Sequence, residues 1–288
     1  MRIRIACRKA PSMSSLPTVS VSRALAASGL VAFEARILLA HVLGRDRSWI
    51  AGHCDADISR EQASMFDALA RRRRNGEPIA YLVGHREFFG LDLEVTPDVL
   101  IPRPETELLV ELTLARIAKD SPARVLDLGC GSGAVALAVA RELPRASVVG
   151  ADVSPAAVAL SRRNAERLRI ASAAFVLSDW FSSVPTEPYD AIVANPPYVA
   201  VGDPHLSEGD IRFEPRAALV AGADGMDAIR VIVTAAPTYL VRGRWFAVEH
   251  GYDQAERVRA LLLGAGFSDV QSARDLAGIF RVTCGRWE

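Results

Sequence analysis

The stretch best suited to chemistry is Asn195-Pro196-Pro197-Tyr198, which directly follows the apolar run 191–194. The apolar run predicts a buried parallel strand, and the prolines end it because neither can donate to a sheet ladder. Such a strand delivers Asn195 and Tyr198 to its carboxyl end, where open α/β sheets bind ligands. Rigid backbone carbonyls, the side-chain carbonyl of Asn195 and an aromatic ring together suit a planar NH2 group.

Two kinds of substrate carry such a group, namely an amide and the exocyclic amine of a base. Both nitrogens are poor nucleophiles because the lone pair is delocalised. Two acceptors that hold the hydrogens would favour turning this lone pair toward an electrophile, while the Tyr198 ring fixes the plane by stacking. The motif is equally typical of an ordinary strand-to-loop exit in which Tyr198 is packing, and taken alone it leaves both interpretations open.

The composition indicates a globular protein without a strong charge field. Half of the 288 residues are hydrophobic, so a sizeable core is expected. The 34 basic and 34 acidic residues give a net charge of zero, which argues against naked nucleic acid as the main partner. The four cysteines form no C-x-x-C pair, so neither a metal site nor a disulfide framework is indicated, and a reducing cytoplasm is expected. We predict no signal peptide and no membrane span.

The first third of the chain predicts a small helical domain over residues 20–85, preceded by a disordered extension over residues 1–19. Apolar residues at helical spacing predict helices at 20–28, 31–43 and 58–74, the last with Ser59 as N-cap and Asn75-Gly76 as stop. Arg71 to Arg74 is expected to be a solvated helix end, with a phosphate contact as the alternative.

A hairpin and linker, residues 86–107, are predicted between two domains. Alternation predicts hairpin strands at 87–93 and 94–101, followed by a helix over 108–118. Within the linker, Arg103 and Glu105 belong either to a rigid connection that starts this helix or to a segment that closes over a ligand.

Residues 108–288 predict a doubly wound α/β sheet, because strand and helix patterns alternate and imply right-handed crossovers. The predicted strands are 124–128, 147–152, 174–177, 189–194, 245–249, 267–272 and 278–283, and the helices 135–143, 155–168, 226–240 and 254–263. Because no helix separates the last two strands, the final one is expected to insert antiparallel.

A glycine-rich turn follows the first of these strands, and its residues are Gly129, Cys130, Gly131, Ser132 and Gly133. Asp152 ends the next strand, where dinucleotide folds place a ribose-binding carboxylate, so the turn predicts an adenosine site. The spacing disfavours NAD, and the absence of a Gly-Lys-Ser/Thr sequence disfavours ATP. Asp179 and Trp180 end the third strand near an expected adenine, with core packing as the alternative for Trp180.

In this order, these motifs resemble the amino-methyltransferases that use S-adenosylmethionine. Further segments make the chain similar to the release-factor glutamine N5-methyltransferases, the PrmC/HemK family, over nearly everything after Ser20. These segments are Tyr81-Leu82-Val83-Gly84, Glu87-Phe88-Phe89-Gly90-Leu91, residues 101–107, Phe213-Glu214-Pro215-Arg216-Ala217-Ala218-Leu219 and Glu249-His250-Gly251-Tyr252-Asp253-Gln254.

The resemblance implies a seven-stranded Rossmann-like methyltransferase fold and methyl transfer to the side-chain amide nitrogen of the glutamine in the Gly-Gly-Gln loop of peptide chain release factors. S-adenosyl-L-homocysteine would be the product. It implies that the cofactor is held by Gly129, Cys130, Gly131, Ser132, Gly133, Asp152, Trp180 and Asn195. It implies that the glutamine is held by Asn195, Pro196, Pro197 and Tyr198, of which Asn195, Pro196 and Tyr198 are catalytic. Orientation alone would supply several kcal/mol, and no general base is required.

A monomer that acts on release factors, without stable nucleic acid or a membrane, is expected. Three alternatives remain. A sister family methylates a glutamine of a ribosomal protein, but its linker resembles Pro-Arg-Ser-Pro, whereas this chain has Pro-Arg-Pro-Glu. The exocyclic amine of a flipped DNA or RNA base is a second substrate class. The third is a protein that binds cofactor or release factor without turnover.

Overall fold

The computed structural model describes residues 18–288. They form two compact units, one that ends at Val83 and one that spans Gly84–Glu288. Among the described residues, no helix is both long and apolar enough to cross a bilayer. The expected disordered extension, residues 1–19, falls almost wholly on residues 1–17, which lie outside the description, while Val19 already belongs to a strand.

The N-terminal unit is helical, as predicted, with a core of its own. Its elements are β1 (Val19–Ser20), α1 (Val21–Ala27), α2 (Ala32–Leu43), α3 (Arg47–Gly52), β2 (Asp57–Ile58), α4 (Arg60–Arg74) and α5 (Ile79–Val83). Ser59 and Gln62 form a capping box at the start of α4, and Asn75 caps its end. Helices α3 and α5 were not predicted, because a segment of five or six residues is too short to show the helical periodicity of apolar residues.

Arg71, Arg72 and Arg74 are exposed, as expected of a solvated helix end, and the run is also tied into this unit. The partners are Glu34 for Arg73, Glu77 for Arg72 and the backbone carbonyl of Ser28 for Arg74. The Arg73 and Glu34 side chains are each only about one fifth exposed, and their N–O distance is 2.7 Å. The run therefore fastens the end of α4 to the rest of the helical unit.

The hairpin that opens the second unit is shorter than predicted. Strands β3 (His85–Phe88) and β4 (Leu91–Glu94) pair antiparallel, so the predicted strands 87–93 and 94–101 are wrong. The turn is Phe89-Gly90, with φ of 49° and 72°, as two-residue hairpin turns require. Apolar residues on both sides of the turn continue the alternating pattern, so the sequence does not show where the turn lies.

A 3-10 helix (Pro104–Thr106) leads directly from the linker into α6 (Glu107–Leu114). Helix α6 ends four residues before the predicted end at 118. There the Arg116 N–H turns to the carbonyl of Thr113, three residues back, which is a tightening typical of helix termini.

The second unit is built on a seven-stranded sheet in the order β10-β11-β9-β8-β5-β6-β7. Its elements are β5 (Arg124–Leu128), α7 (Ala134–Glu142), β6 (Ser147–Asp152), α8 (Pro155–Leu168), β7 (Ala173–Leu177), β8 (Tyr189–Ala194), α9 (Asp227–Tyr239), β9 (Leu240–Glu249), α10 (Ala255–Gly264), β10 (Phe267–Arg274) and β11 (Phe280–Trp287). Strand β11 is antiparallel to both of its neighbours, and the doubly wound sheet with an antiparallel last strand is confirmed.

The parallel strands β8, β5, β6 and β7 end at one edge of this sheet. Leu128 at the end of β5 stands opposite Ala194 in β8 and Ala151 in β6. The residues that follow, Gly129, Asn195 and Asp152, therefore emerge side by side. Since the chain order reverses between β5 and β8, this edge is the topological switch point at which such sheets bind ligands.

A buried amide ties this edge to the hairpin. Asn164 of α8 donates to the carbonyls of Ser132 and Glu94, both at 3.0 Å, and accepts from the Glu94 N–H at 2.8 Å. The glycine-rich turn is thus held from behind by hydrogen bonds whose loss would leave buried backbone groups unpaired.

Candidate active site

A cavity of about 340 Å³ opens at the switch point, a size within the usual range for small-molecule sites. Of the residues predicted for the site, those that line the cavity are Gly129, Cys130, Gly131, Ser132, Asp152, Trp180, Asn195 and Pro197. The predicted residues Gly133, Pro196 and Tyr198 are not among the lining residues. Gly133 instead faces the interior, where an added Cβ would lie 3.0–3.1 Å from Ser161, Leu137 and Phe175.

The glycine-rich turn has a backbone conformation that residues with a side chain adopt only under strain. Gly129 and Gly131 have φ of 73° and 53°, in the left-handed region that favours glycine. The N–H groups of Gly129 and Cys130 both donate to the carbonyl of Ala151, at 2.8 and 3.0 Å. The turn is therefore fastened to the end of β6, and its open side lies along the cavity.

Asp152 sits where β6 ends, and backbone donors hold its carboxylate. Oδ2 accepts from the Gly131 N–H and Oδ1 from the Ser154 N–H, each at 2.9 Å. Burial nevertheless raises its pKa above the ordinary value. Each oxygen keeps a further lone pair, so this fixed carboxylate can accept hydrogen bonds from the hydroxyls of a ribose.

A second carboxylate, that of Asp127, lies below the turn and is 2% exposed. Its Oδ2 accepts from the Ala136 N–H at 3.0 Å. Burial, with a smaller contribution from the charge of Asp152, raises the pKa of Asp127 to about 7. Two carboxylates that line one cavity favour a ligand that carries positive charge.

Trp180 lies against the glycine-rich turn with a backbone φ of 46°, which few non-glycine residues adopt. An added Cβ on Gly129 would lie 3.7 Å from Cζ3 of the indole. The ring also packs against the core on one face of the sheet. Trp180 and the neighbouring Asp179 both line the cavity, so the ring combines packing with a place at the site.

Asn195 has one end of its amide held and the other left unpaired. Nδ2 donates to Oγ1 of Thr106 at 3.0 Å. Oδ1 is buried and has no hydrogen-bond partner among the described residues. A buried acceptor without a partner costs about 1–3 kcal/mol, and Asn195 lines the cavity, so a donor on a bound ligand is the group that could satisfy this oxygen.

Tyr198 is anchored at both its hydroxyl and its backbone. The hydroxyl donates to Oε1 of Glu249 at 3.2 Å, and its carbonyl accepts from Nε2 of Gln254 at 2.9 Å. Burial, with the nearby Glu249 charge, raises the Tyr198 pKa far above its usual range, so the hydroxyl stays protonated. The corner after β8, residues 195–198, is thus fixed from behind by the last residue of β9 and by Gln254, which follows β9.

The linker closes onto the same edge through Glu214, whose side chain is fully buried. Its Oε2 accepts from the Ile101 N–H at 3.1 Å, and its Oε1 accepts from Arg103. Burial raises the Glu214 pKa, although the Arg103 guanidinium opposes this shift. Arg103 lines the cavity and Glu105 does not, so of the two linker residues singled out from the sequence only Arg103 reaches the site.

Sequence reasoning did not assign roles to Thr106, Glu214, Glu249 and Gln254, the residues that support the corner. All four stand in segments that carry the family resemblance, Thr106 in the linker segment 101–107. Spacing alone gives no signal for them, because each acts across about 50 to 110 residues of chain.

Comparison with known proteins shows the family to which this chain belongs. The family model "PrmC N-terminal domain" matches residues 20–84, and "Methyltransferase small domain" matches residues 105–208. The release factor glutamine methyltransferase of Pseudomonas aeruginosa is 48% identical over 275 residues, which cover 96% of this chain and 99% of that protein. The chain belongs to the release factor glutamine methyltransferase family. The enzyme of that name from Burkholderia pseudomallei is 50% identical and covers 91% of this chain and 94% of its own.

A solved methyltransferase shares the fold of this family member. The 16S rRNA N2 G1207 methyltransferase RsmC of T. Thermophilus, in complex with AdoMet and guanosine, has a TM-score of 0.54 and 23% identity. The match covers 71% of this chain and 50% of that one. At this identity the likeness shows the fold alone, and it agrees with the predicted Rossmann-like methyltransferase sheet.

The cavity fits S-adenosylmethionine, the cofactor that the sequence predicts. The cofactor is a cation with ribose hydroxyls, and the cavity offers the carboxylates of Asp127 and Asp152 together with the Trp180 ring. When bound, it supplies an electrophilic methyl group on a sulfonium. Asn195, whose buried Oδ1 is unpaired among the described residues, lines this same cavity.

We predict that Asp152→Ala weakens S-adenosylmethionine binding by about tenfold or more, because it removes a charged acceptor from the cavity wall. Isothermal titration calorimetry measures the change. Asp120→Ala, at an exposed site of the same unit, is the control and should bind as the wild type does. An unaltered affinity of Asp152→Ala would contradict the ribose assignment.

Proposed function

We propose that this chain transfers the methyl group of S-adenosylmethionine to the side-chain amide nitrogen of the glutamine in the Gly-Gly-Gln loop of peptide chain release factors. The family membership supports the reaction, and the observation that carries it is that Asn195 lines the cavity while its buried Oδ1 has no hydrogen-bond partner among the described residues. A primary amide offers two N–H donors, and an amide oxygen is the acceptor that one of them needs.

In this proposal the corner after β8 holds the amide by both hydrogens. Oδ1 of Asn195 accepts one hydrogen, and the backbone carbonyl of Pro196 accepts the other. The Pro196 carbonyl is well suited, because a residue that is a proline and also precedes a proline has little conformational freedom. Tyr198 limits the plane of the amide, and its ring is steadied by the bond to Glu249.

The protein's contribution to the rate is orientation. A glutamine nitrogen with both hydrogens held points its lone pair toward the methyl group, and no proton needs to leave before the bond forms. Once methylated, the nitrogen is acidic and releases a proton to water. Alignment of two reactants in this way is worth up to about 7–11 kcal/mol of the barrier.

The domain division is also part of the proposal: residues 20–85 dock the release factor, 86–107 form a hairpin and linker, and 108–288 carry the methyltransferase site. Its support is that the helical unit has its own core and exposes large apolar side chains. Val31 and Phe33, 66% and 62% exposed, stand near the start of α2, where Arg47 lies over the Phe33 ring.

The reaction is tested with methyl-labelled S-adenosylmethionine and three acceptors, namely a release factor, its loop variant with glutamine changed to alanine, and duplex DNA. We expect label on the intact release factor only. Asn195→Ala should lower kcat by about a hundredfold or more while most cofactor affinity remains. Label on DNA, or equal label on both release factors, would refute the assignment.

Docking is tested with Phe33→Ser, which removes an exposed apolar side chain from the helical unit. We expect KM for the release factor to rise about three- to tenfold with kcat nearly unchanged, as loss of uniform binding predicts. Met65→Ser is the matched control on α4, since Met65 is 52% exposed and lies on the same unit. Equal KM values for the wild type and Phe33→Ser would count against docking through this surface.

A further inference from the structure

Arg103 is the one lysine or arginine among the described residues that line the cavity. Four aspartates line the same cavity, namely Asp98, Asp127, Asp152 and Asp179. Wherever these aspartates are charged they repel a carboxylate on a ligand, and Arg103 is the lining residue whose charge can offset that repulsion. A cationic group of a ligand therefore has several partners at the cavity, whereas an anionic group has Arg103.

The guanidinium of Arg103 is held by a fully buried carboxylate. Its Nη2 donates to Oε1 of Glu214, whose Oε2 accepts from the Ile101 N–H at 3.1 Å. The Arg103 side chain itself is 30% exposed, and the neighbouring residues Pro102 and Pro215 line the cavity as well. A guanidinium has five N–H donors, and within the described part of the chain this one makes no second hydrogen bond, so donors remain for a ligand.

Arg103 lies on the Asn195 side of the cavity. The Thr106 N–H donates to the Arg103 carbonyl at 3.1 Å, and the Thr106 hydroxyl accepts from Nδ2 of Asn195 at 3.0 Å. Asp152, to which the ribose is assigned, ends β6, whereas Asn195 follows β8, and β5 runs between these two strands. The ribose carboxylate and Arg103 are therefore separated by the glycine-rich turn that follows β5.

S-adenosylmethionine carries a single anionic group. Its adenosine is neutral, its sulfonium and α-amino groups are positive, and the α-carboxylate at the end of its methionine portion is negative. The sulfur joins the adenosine to the methionine portion, so the carboxylate lies at the opposite end of the cofactor from the base. Arg103 is the cation that the cavity wall offers to this carboxylate.

We propose that Arg103 binds the α-carboxylate of S-adenosylmethionine and that Glu214 is a positioning residue, which orients the Arg103 guanidinium. Guanidinium and carboxylate form charge-assisted hydrogen bonds, which are about twice as strong as neutral ones and are frequently paired. Glu214 is not among the lining residues, so it acts through Arg103. The proposal rests on the use of this cofactor, which the proposed function shares, and it involves no release factor.

The first test measures the binding of two ligands to Arg103→Gln by isothermal titration calorimetry. S-adenosyl-L-homocysteine carries the α-carboxylate, whereas methylthioadenosine shares its adenosine and thioether but lacks the amino-acid portion. We expect the variant to bind S-adenosyl-L-homocysteine about ten- to a hundredfold more weakly and methylthioadenosine within about twofold of the wild type. Arg145→Gln, at an exposed site of the same unit, is the control and should leave both affinities unchanged.

The comparison of the two ligands separates carboxylate binding from other roles of Arg103. An unchanged affinity of Arg103→Gln for S-adenosyl-L-homocysteine would overturn the proposal. An equal loss for both ligands would overturn it as well, because Arg103 would then support the cavity as a whole. A raised KM for the release factor with unchanged cofactor affinity would assign Arg103 to the protein substrate instead.

The second test concerns the positioning role of Glu214. Glu214→Gln removes the charge that orients Arg103 but keeps an oxygen for the Ile101 N–H, so we expect S-adenosyl-L-homocysteine to bind about three- to tenfold more weakly. The double variant with Arg103→Gln should bind it as Arg103→Gln alone does, because Glu214 acts only through Arg103. Additive losses would refute the positioning role. The double variant also leaves no unpaired buried carboxylate, so it replaces Arg103→Gln if that variant does not fold.

Failure of the proposed function is separable from failure of this inference, because both ligands are titrated without a release factor. If the wild type binds S-adenosyl-L-homocysteine but labels no release factor, only the proposed function fails. If the wild type labels the release factor and Arg103→Gln binds S-adenosyl-L-homocysteine equally well, only the inference about Arg103 fails. Retained binding of methylthioadenosine shows that the variants fold.

Discussion

The rest of this site depends on the side-chain amide of Asn195, which is hydrogen-bonded at one end and unpaired at the other. Asn195 donates from Nδ2 to Thr106, its Oδ1 is buried without a partner among the described residues, and the residue lines the cavity. An unpaired buried acceptor is costly, and a folded protein keeps one where a ligand completes it. The following proline restricts the backbone of Asn195, and the bond from Nδ2 to Thr106 holds the side-chain amide.

The sheet explains why that acceptor meets the cofactor cavity. Strand β8 pairs in parallel with β5, and Leu128 stands opposite Ala194, so the glycine-rich turn and the Asn195 corner leave the sheet as neighbours. The pairing of β5 with β6 brings Asp152 to the other side of the turn. Glu249, at the end of β9, then supports the corner through Tyr198, and Glu214 binds the linker through Ile101 and Arg103.

Much of this arrangement could be read from the sequence, because it follows from local patterns. Strands β5, β6 and β8 have the predicted bounds, since each is an apolar run that a glycine, an acidic residue or a proline ends. The edge at which Asp152 and Asn195 meet then follows from parallel topology alone. The reaction was predicted from the family resemblance, because the spacing of the residues alone does not specify it.

Other parts depend on contacts between distant residues and were not predictable. The bond between Asn195 and Thr106 joins residues 89 apart in the chain, and no periodicity marks either as a partner of the other. The hairpin turn at Phe89-Gly90 was misplaced because alternation runs on through it. Likewise, the prediction for Tyr198 concerned its ring, and nothing in the sequence pattern indicated the bond between its hydroxyl and Glu249.

The central claim is that the Asn195 carbonyl accepts a hydrogen from the substrate amide. The most direct measurement is a crystal structure of the chain with S-adenosyl-L-homocysteine and a release factor whose loop occupies the cavity. We predict the glutamine nitrogen within about 3.2 Å of Oδ1 of Asn195, with Nδ2 still on Thr106. A glutamine amide held elsewhere, with Oδ1 of Asn195 turned away from it, would contradict the account.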